Sequence, residues 1–453
     1  MNNCPASRVP AFDPAVNDQP GWLPLLVQAL LIGALVGLVV GLFRFLNDHI
    51  TAFFVHSVGT PSWSEPGLAW LIFGALFLFA VISILLLKWE ALIGGSGIPQ
   101  VELMIRGELQ MTWWRVLITK FLGALTSLAG GLSLGREGPC IMIGSSLGVA
   151  IGRFWHDQRA AQARRFLATG GGAGLAAAFG APLAGFCFIF EEVRLPLKRS
   201  LIISCLVACF TAVLVMQAVF AFPLVFPFNV KQLLPWSSWW LVLFIGIVMG
   251  LVGVFYNRIL LALTYWADRT TLLPFHLRVF IPFFISGLLL YFYPTVLVGF
   301  GMGPIQLEQL SMSFTALLWL FVIKLLFSVT SYATGIAGGL LMPILLIGAI
   351  AGSSIVSGLD AVGFVEAGYA GILLAMTMAG LFGASVRAPL TGAFLMIEMT
   401  GSYTNAVLII ATAYVASFVA NQLGNPPVYD SLRARIEKGM AQKKAAASKA
   451  AAS

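Results

Sequence analysis

The sequence predicts an all-α polytopic membrane protein made of two inverted-topology repeats whose broken helices meet near the bilayer midplane. Three observations carry this expectation. The 453-residue chain is 59% hydrophobic and 10% charged, against about 25% charged residues in soluble domains. Apolar runs long enough to span a bilayer, about 20 residues each, recur along it. Segments broken by proline and glycine in the first half return with matching internal spacing in the second. The apolar runs are continuous rather than alternating, which excludes a β-barrel.

Residues 1–21 form a polar leader with one basic residue, Arg8. The apolar run behind it is too long for a signal-peptide core, so no cleavage is expected. Spans are predicted at 22–46, 67–89, 113–134, 201–222, 239–263, 279–297 and 316–331, with later segments shorter and broken by Gly and Pro. In the first span Gly33, Gly37 and Gly41 repeat every four residues, a small-residue face suited to close helix packing. Gly94-Gly95-Ser96-Gly97-Ile98-Pro99 follows the second span as a flexible turn leading through proline into a short segment with Glu102 and Arg106. Trp113, Trp114 and Arg115 then read as an interfacial belt.

The stretch from Gly130 to Gly144 sets Arg136 and Glu137 inside apolar sequence. An ionised side chain at bilayer depth costs on the order of 2.5–3.5 kcal/mol on insertion scales, so such charges pair or mark an ion path. The glycines around them permit a close backbone approach, and Pro139 stands where a helix begins and a missing N–H is tolerated. A helix start aims free N–H groups and partial positive charge forward. The stretch therefore reads as an anion site with a carboxylate beside it. The alternative is an Arg136–Glu137 ion pair that merely fixes a loop.

Farther on, Ala181-Pro182-Leu183-Ala184-Gly185 leads to Glu191 and Glu192. Its echo, Ala388-Pro389-Leu390-Thr391-Gly392, leads to Glu398 with the same proline-to-glutamate spacing as Pro182 to Glu191. The segment beginning at Pro343 likewise echoes that at Pro139, so an internal duplication is expected, with broken helices at Pro139 and Pro343 marking the binding site. The repeats are placed at 22–226 and 238–436, joined through 227–237, with a basic, solvated tail at 437–453. Paired prolines at Pro426 and Pro427 end the last apolar segment.

Part of the net charge of +8 lies after Tyr429, which by the positive-inside rule puts the C-terminus in the cytoplasm of an inner-membrane protein. Nucleic-acid binding is a poor explanation for it. Cys4 lies in the leader and Cys140, Cys187, Cys205 and Cys209 lie in apolar segments, so they read as small hydrophobes. No metal-ligand spacing is present and no cofactor is expected. An intramembrane serine protease would need a histidine deep in an apolar segment. His49, His56, His156 and His276 fall near predicted span ends.

Gly95-Ser96-Gly97-Ile98-Pro99, Gly135-Arg136-Glu137-Gly138-Pro139, Gly339-Leu340-Leu341-Met342-Pro343 and Tyr429, in this order, resemble the anion-pathway motifs of the CLC chloride channels and chloride/proton antiporters. The resemblance covers residues 22–436. It implies a homodimer with one anion path per subunit. Ser96 and Tyr429 would present hydroxyls to a central anion. Backbone N–H groups near Gly138 and of Leu340, Leu341 and Met342 would add donors. Glu137 would be the gating and proton-transfer glutamate, and Glu192 the inner proton-transfer glutamate of the antiporters. Keeping both acids favours coupled chloride/proton exchange over a passive channel of the same fold. Leu341 and Met342 replace the family's usual Phe-Ala, which puts pathway width in question. Ser96 favours chloride over nitrate and argues against the fluoride branch. Glu191, Glu102 and Glu398 are expected to be structural, and Glu192 has an alternative partner in Arg194 or Lys198.

Overall fold

A computed structural model describes residues 21–58, 66–155, 160–226, 230, 232–270, 274–292, 312–361, 363–364, 367–401 and 403–452. Their regular structure is helical: α1 Trp22–Val58, α2 Pro66–Trp89, α3 Ile98–Arg106, α4 Trp113–Ala129, α5 Glu137–Phe154, α6 Ala160–Phe179, α7 Pro182–Glu191 and α8 Arg199–Phe220 in the first half. In the second half come α9 Trp240–Arg269, α10 Phe275–Phe292, α11 Phe314–Ala333, α12 Leu341–Ala361, α13 Ala370–Val386, α14 Pro389–Thr400, α15 Ala406–Gln422 and α16 Val428–Ala452. Among them 7 are long and apolar enough to cross a membrane.

Several boundaries differ from the sequence expectation for identifiable reasons. The first helix runs on past residue 46 to Val58, with Trp22–Phe53 as its membrane-spanning part, and the charge at Arg44 inside it is absorbed by protein. Its guanidinium donates to the Ala177 carbonyl at 3.0 Å and lies 4.2 Å over the Phe222 ring. The third expected span, 113–134, stops at Ala129, since Gly131 turns into the left-handed region at φ 72°. Conversely α12 is a full 21 residues despite Pro343. Helix α5 opens at Glu137, two residues ahead of Pro139, and both Pro139 and Pro343 stand third in their helices. The first intrahelical bonds there are Cys140 N–H to Arg136 and Ile344 N–H to Leu340, so neither proline removes one. The tail expected to be separate at 437–453 continues α16 through residue 452, as an Ala/Lys-rich sequence of strong helix formers allows. The expected connection 227–237 falls partly, and the leader 1–21 almost wholly, outside the described residues.

The glycine face of α1 behaves as expected. A Cβ at Gly33 would lie 2.6 Å from the Ala208 carbonyl oxygen and one at Gly37 2.4 Å from that of Ala212, so only glycine lets α1 and α8 approach this closely. Cys140, Cys187, Cys205 and Cys209 are free and buried. Trp89 and Trp114 meet edge to face with ring centroids 6.4 Å apart at the foot of α2 and α4.

The packing of the first half is repeated in the second. Helices α5 and α6 pair as α12 and α13 do, α1 against α8 as α9 against α15, and α6 against α7 as α13 against α14. Where α7 meets α14, the duplicated Ala-Pro-Leu elements exchange carboxylates. Glu191, at the end of α7, accepts the Leu390 and Thr391 N–H groups at the start of α14 at 3.0 and 2.6 Å, and the Thr391 hydroxyl at 2.7 Å. Glu398, near the end of α14, accepts the Leu183 and Ala184 N–H groups at the start of α7 at 3.0 and 2.9 Å. Each helix end therefore reaches the other's beginning. The two run antiparallel, and the halves are related by inversion. Each carboxylate also faces the positive end of a helix dipole.

These reciprocal caps predict a specific weakness. Glu398→Ala leaves two helix-start N–H groups without acceptors, at an expected cost of about 1–3 kcal/mol. The thermal unfolding midpoint in detergent should fall, and an unchanged midpoint would show that the cap contributes nothing.

Candidate functional site

Three glycine-rich loops, ahead of α3, α5 and α12, come together and are sewn into one another by backbone hydrogen bonds. The Gly135 N–H donates to the Gly339 carbonyl at 2.7 Å, and the Gly339 N–H donates back to Gly135 at 2.6 Å. The Gly95 N–H reaches the Gly335 and Ile336 carbonyls at 3.2 and 3.1 Å, while the Gly338 N–H donates to Gly95 at 3.0 Å. Irregular backbone is tolerated at membrane depth only when its polar groups are satisfied in this way.

Side chains occupy other carbonyls of the same loops. Lys120, fully buried on α4, donates its Nζ to the Ile93 and Gly95 carbonyls at 2.7 Å each. The Gln100 amide reaches Gly94 at 2.7 Å, and the Ser127 hydroxyl reaches Ala337 at 2.5 Å. With carbonyls engaged, the electrostatic face left to the loops is that of N–H groups and helix starts, which favours an anion. Sequence reasoning passed over Lys120. The available signal was a lone lysine in the apolar run 113–134.

Glu137 is wholly buried at the first turn of α5. Its Oε2 accepts the Met342 N–H at 3.3 Å, and its Oε1 has no partner among the described residues. The alternative reading, an ion pair with Arg136 that fixes a loop, is not what forms: Arg136 reaches Asp48 at 3.4 Å. Space for the carboxylate comes from Gly135, where a Cβ would stand 2.1 Å from Oε2. Gly138 packs on Ser96 so closely that a Cβ would lie 2.4 Å from the Ser96 carbonyl oxygen and 2.8 Å from its hydroxyl. The start of α5 and the first loop thus touch through bare backbone.

Ser96 is buried, and its Oγ accepts the Ile98 N–H at 3.3 Å, which helps open α3. Tyr429, in the first turn of α16, is 0% exposed, and its hydroxyl, which faces the Ser96 side chain, has no hydrogen bond within 3.5 Å among the described residues. It lies within electrostatic range of Ser96, Glu137, Glu192 and Tyr332. Leu340, Leu341 and Met342 are all buried at the opening of α12, and the contact of Met342 with Glu137 is made through its amide rather than its side chain. Glu192 closes α7 with 2% exposure and no hydrogen-bond partner for either oxygen among the described residues, so pairing with Arg194 or Lys198 does not occur. Arg194 binds Asp430 at 2.9 Å instead. The structure therefore gathers Ser96, Glu137, Gly138, Met342, Tyr429 and Glu192 into one region. It also adds Tyr332, which takes a hydrogen bond from the Ser96 backbone.

Next to this region opens a cavity of about 940 Å³, bordered by Gly95, Tyr332, Gly335, Arg269, Arg435 and Lys438. Arg435 is held there by Asp268 through contacts of 2.5 and 2.6 Å. Three cations against one carboxylate make the rim electropositive.

The chain is similar to known proteins over most of its length. Residues 78–421 match the model of a family described as voltage gated chloride channel. The H(+)/Cl(-) exchange transporter ClcA of Cronobacter sakazakii is 33% identical over 446 residues, covering 94% of this chain and 92% of that protein. Among solved structures, a slow cyanobacterial Cl-/H+ antiporter superposes with a TM-score of 0.85 at 29% identity, covering 93% of this chain and 99% of that one. A CLC-type fluoride/proton antiporter shares the fold at 21% identity, with a TM-score of 0.72 and coverage of 91% and 99%.

Two substitutions read the site directly. In Gly135→Ala the added carbon lands on the Glu137 carboxylate, and a structure of the variant should show Oε2 displaced from the Met342 N–H. An unmoved carboxylate would contradict the contact. Lys120→Met strips two buried carbonyls of their donor, at about 1–3 kcal/mol for each group left unsatisfied. Its unfolding midpoint in detergent should drop by more than that of Lys438→Met on the cavity rim.

Proposed function

The chain belongs to the voltage-gated chloride channel family, and on that premise we propose that it is a secondary active antiporter exchanging chloride for protons. The observation that carries this reading is the coexistence of two buried carboxylates that no arginine or lysine pairs among the described residues, Glu137 and Glu192. Glu137 stands against the Met342 amide, and Glu192 lies, like Glu137, within electrostatic range of Tyr429. A passive anion path has no use for the second.

The cycle rests on mutual exclusion. With its proton off, Glu137 places a negative oxygen against the Met342 N–H and competes with chloride for the positive potential of the α5 and α12 starts. With its proton on, that attraction is lost, the side chain leaves, and an anion takes the seat. Ser96 and Tyr429 offer hydroxyls to the anion on its inner side. The amides of Gly138, Leu340, Leu341 and Met342 serve the helix-start side. Glu192 exchanges the proton with the inner solution. Occupancy by anion and by proton are thereby linked reciprocally. Each net charge moved gains or loses about 2.3 kcal/mol per 100 mV, so exchange is electrogenic. The electropositive inner cavity raises the local anion concentration ahead of the constriction.

No cofactor takes part in this cycle. The assembly we propose is a homodimer with a separate path in each subunit, embedded in the inner membrane with α16 on the cytoplasmic side. The basic side chains Arg433, Arg435 and Lys438 support that orientation by the positive-inside rule.

The test is simultaneous recording of chloride and proton flux in proteoliposomes. A chloride gradient should drive protons uphill in the wild type, and Glu137→Ala should abolish proton movement while chloride still passes. Chloride flux without proton movement in the wild type would leave a passive channel as the remaining reading.

A further inference from the structure

A carboxylate as deeply buried as Glu192 needs a partner that meets water if it is to exchange protons with the inner solution. Among the described residues, the charged groups that face it are Glu102 on α3, Asp430 and Arg433 on α16, and Arg194 in the segment following α7. Its sequence neighbour Glu191 is already engaged by the Leu390 and Thr391 N–H groups and the Thr391 hydroxyl. Glu102 is 1% exposed and grips Arg433 at 2.5 Å. Asp430 differs from both of these. Its side chain is 20% exposed, and it binds Arg194, itself 50% exposed, at 2.9 Å and Arg433 at 2.9 Å. Glu437 stands farther out, 40% exposed and 3.6 Å from the Arg433 Nε.

The geometry points to Asp430 as the solvent-side proton port that feeds Glu192, with Arg433 positioning the carboxylates around it. This deepens the antiporter reading and rests on it. Asp430 takes a proton from the inner solution when its exposed partner Arg194 moves aside. The O–H bond on Asp430 then breaks as one forms on Glu192, and Asp430 returns to its paired, ionised state. No other reactant is consumed. Charge balance supports a single proton at a time. Glu102, Glu192, Asp430 and Glu437 against Arg106, Arg194 and Arg433 leave one unmatched negative charge in the cluster, and one proton neutralises it. A second proton would leave the cluster with excess positive charge in a low-dielectric setting. Asp430 also follows Tyr429 directly in the chain, so any movement of the inner constriction moves the port with it.

A plainer role competes with this one. An aspartate in the first turn of a helix complements the helix dipole and contributes only stability. Flux measurements on Asp430→Asn, Asp430→Glu and Glu192→Gln, with unfolding midpoints for each, separate the two. The port predicts that Asp430→Asn lowers the number of protons moved per chloride by at least about tenfold, while chloride flux persists and Asp430→Glu restores the ratio. An unchanged ratio in Asp430→Asn, alongside loss of proton flux in Glu192→Gln, overturns the port and leaves the antiporter reading standing. A parallel fall of both fluxes and of the unfolding midpoint, without rescue of the ratio by Asp430→Glu, reduces Asp430 to a helix-start residue and also overturns it. Retention of full proton flux in Glu192→Gln sinks the underlying reading as well.

Discussion

Two hydrogen bonds between glycines, from Gly135 to the Gly339 carbonyl and back, join the halves of the chain where both leave regular structure. Everything at the site is referred to that junction. It sets the start of α5 against the start of α12, so that the carboxylate of the first can meet an amide of the second. It also disposes of carbonyl oxygens that would repel an anion, and the Lys120, Gln100 and Ser127 side chains dispose of others. A loop that deep in a bilayer has to satisfy its own polar groups. The way it does so here leaves donors, rather than acceptors, for a guest.

Buried charge is distributed unevenly. Glu191 and Glu398 each face a helix start and are matched by amides, and Glu102 is matched by Arg433. These carboxylates hold the halves and the C-terminal helix together. Both oxygens of Glu192, one oxygen each of Glu137 and Glu102, and the Tyr429 hydroxyl are left without a hydrogen-bond partner among the described residues. An unsatisfied buried polar group costs about 1–3 kcal/mol, and a well-packed scaffold retains such groups where work is done on them.

The Leu341-Met342 pair shows how backbone and side chain divide the labour. The donor to Glu137 is the Met342 amide, which any residue supplies, while both side chains are buried in the surrounding core. The unusual residues therefore alter what packs around the pathway without altering what it offers an anion. Gly135 and Gly138 are the opposite case. There the absence of a side chain is the functional property, because a carboxylate and a serine backbone fill the volume a Cβ would need.

Composition and the placement of long apolar runs determined the helical membrane class, and the repeated Ala-Pro-Leu element determined that the chain is duplicated. The four motifs carried the family resemblance and named Ser96, Glu137 and Tyr429 as candidates, because glycine, proline and an intramembrane charge are local signals. The sequence also pointed to Glu191 and Glu398 as structural. That they cap each other's helices, and so reveal inversion, depends on contacts about 200 residues apart in the chain. Helix ends at Val58 and Ala129, the pairing of Arg194 with Asp430 rather than with Glu192, and the ring of charges around Asp430 were decided only by tertiary structure. A charged side chain reads the same in sequence whether its partner is four residues away or on another helix. The energy that chooses between those partners comes from burial, which exists only once the chain has packed.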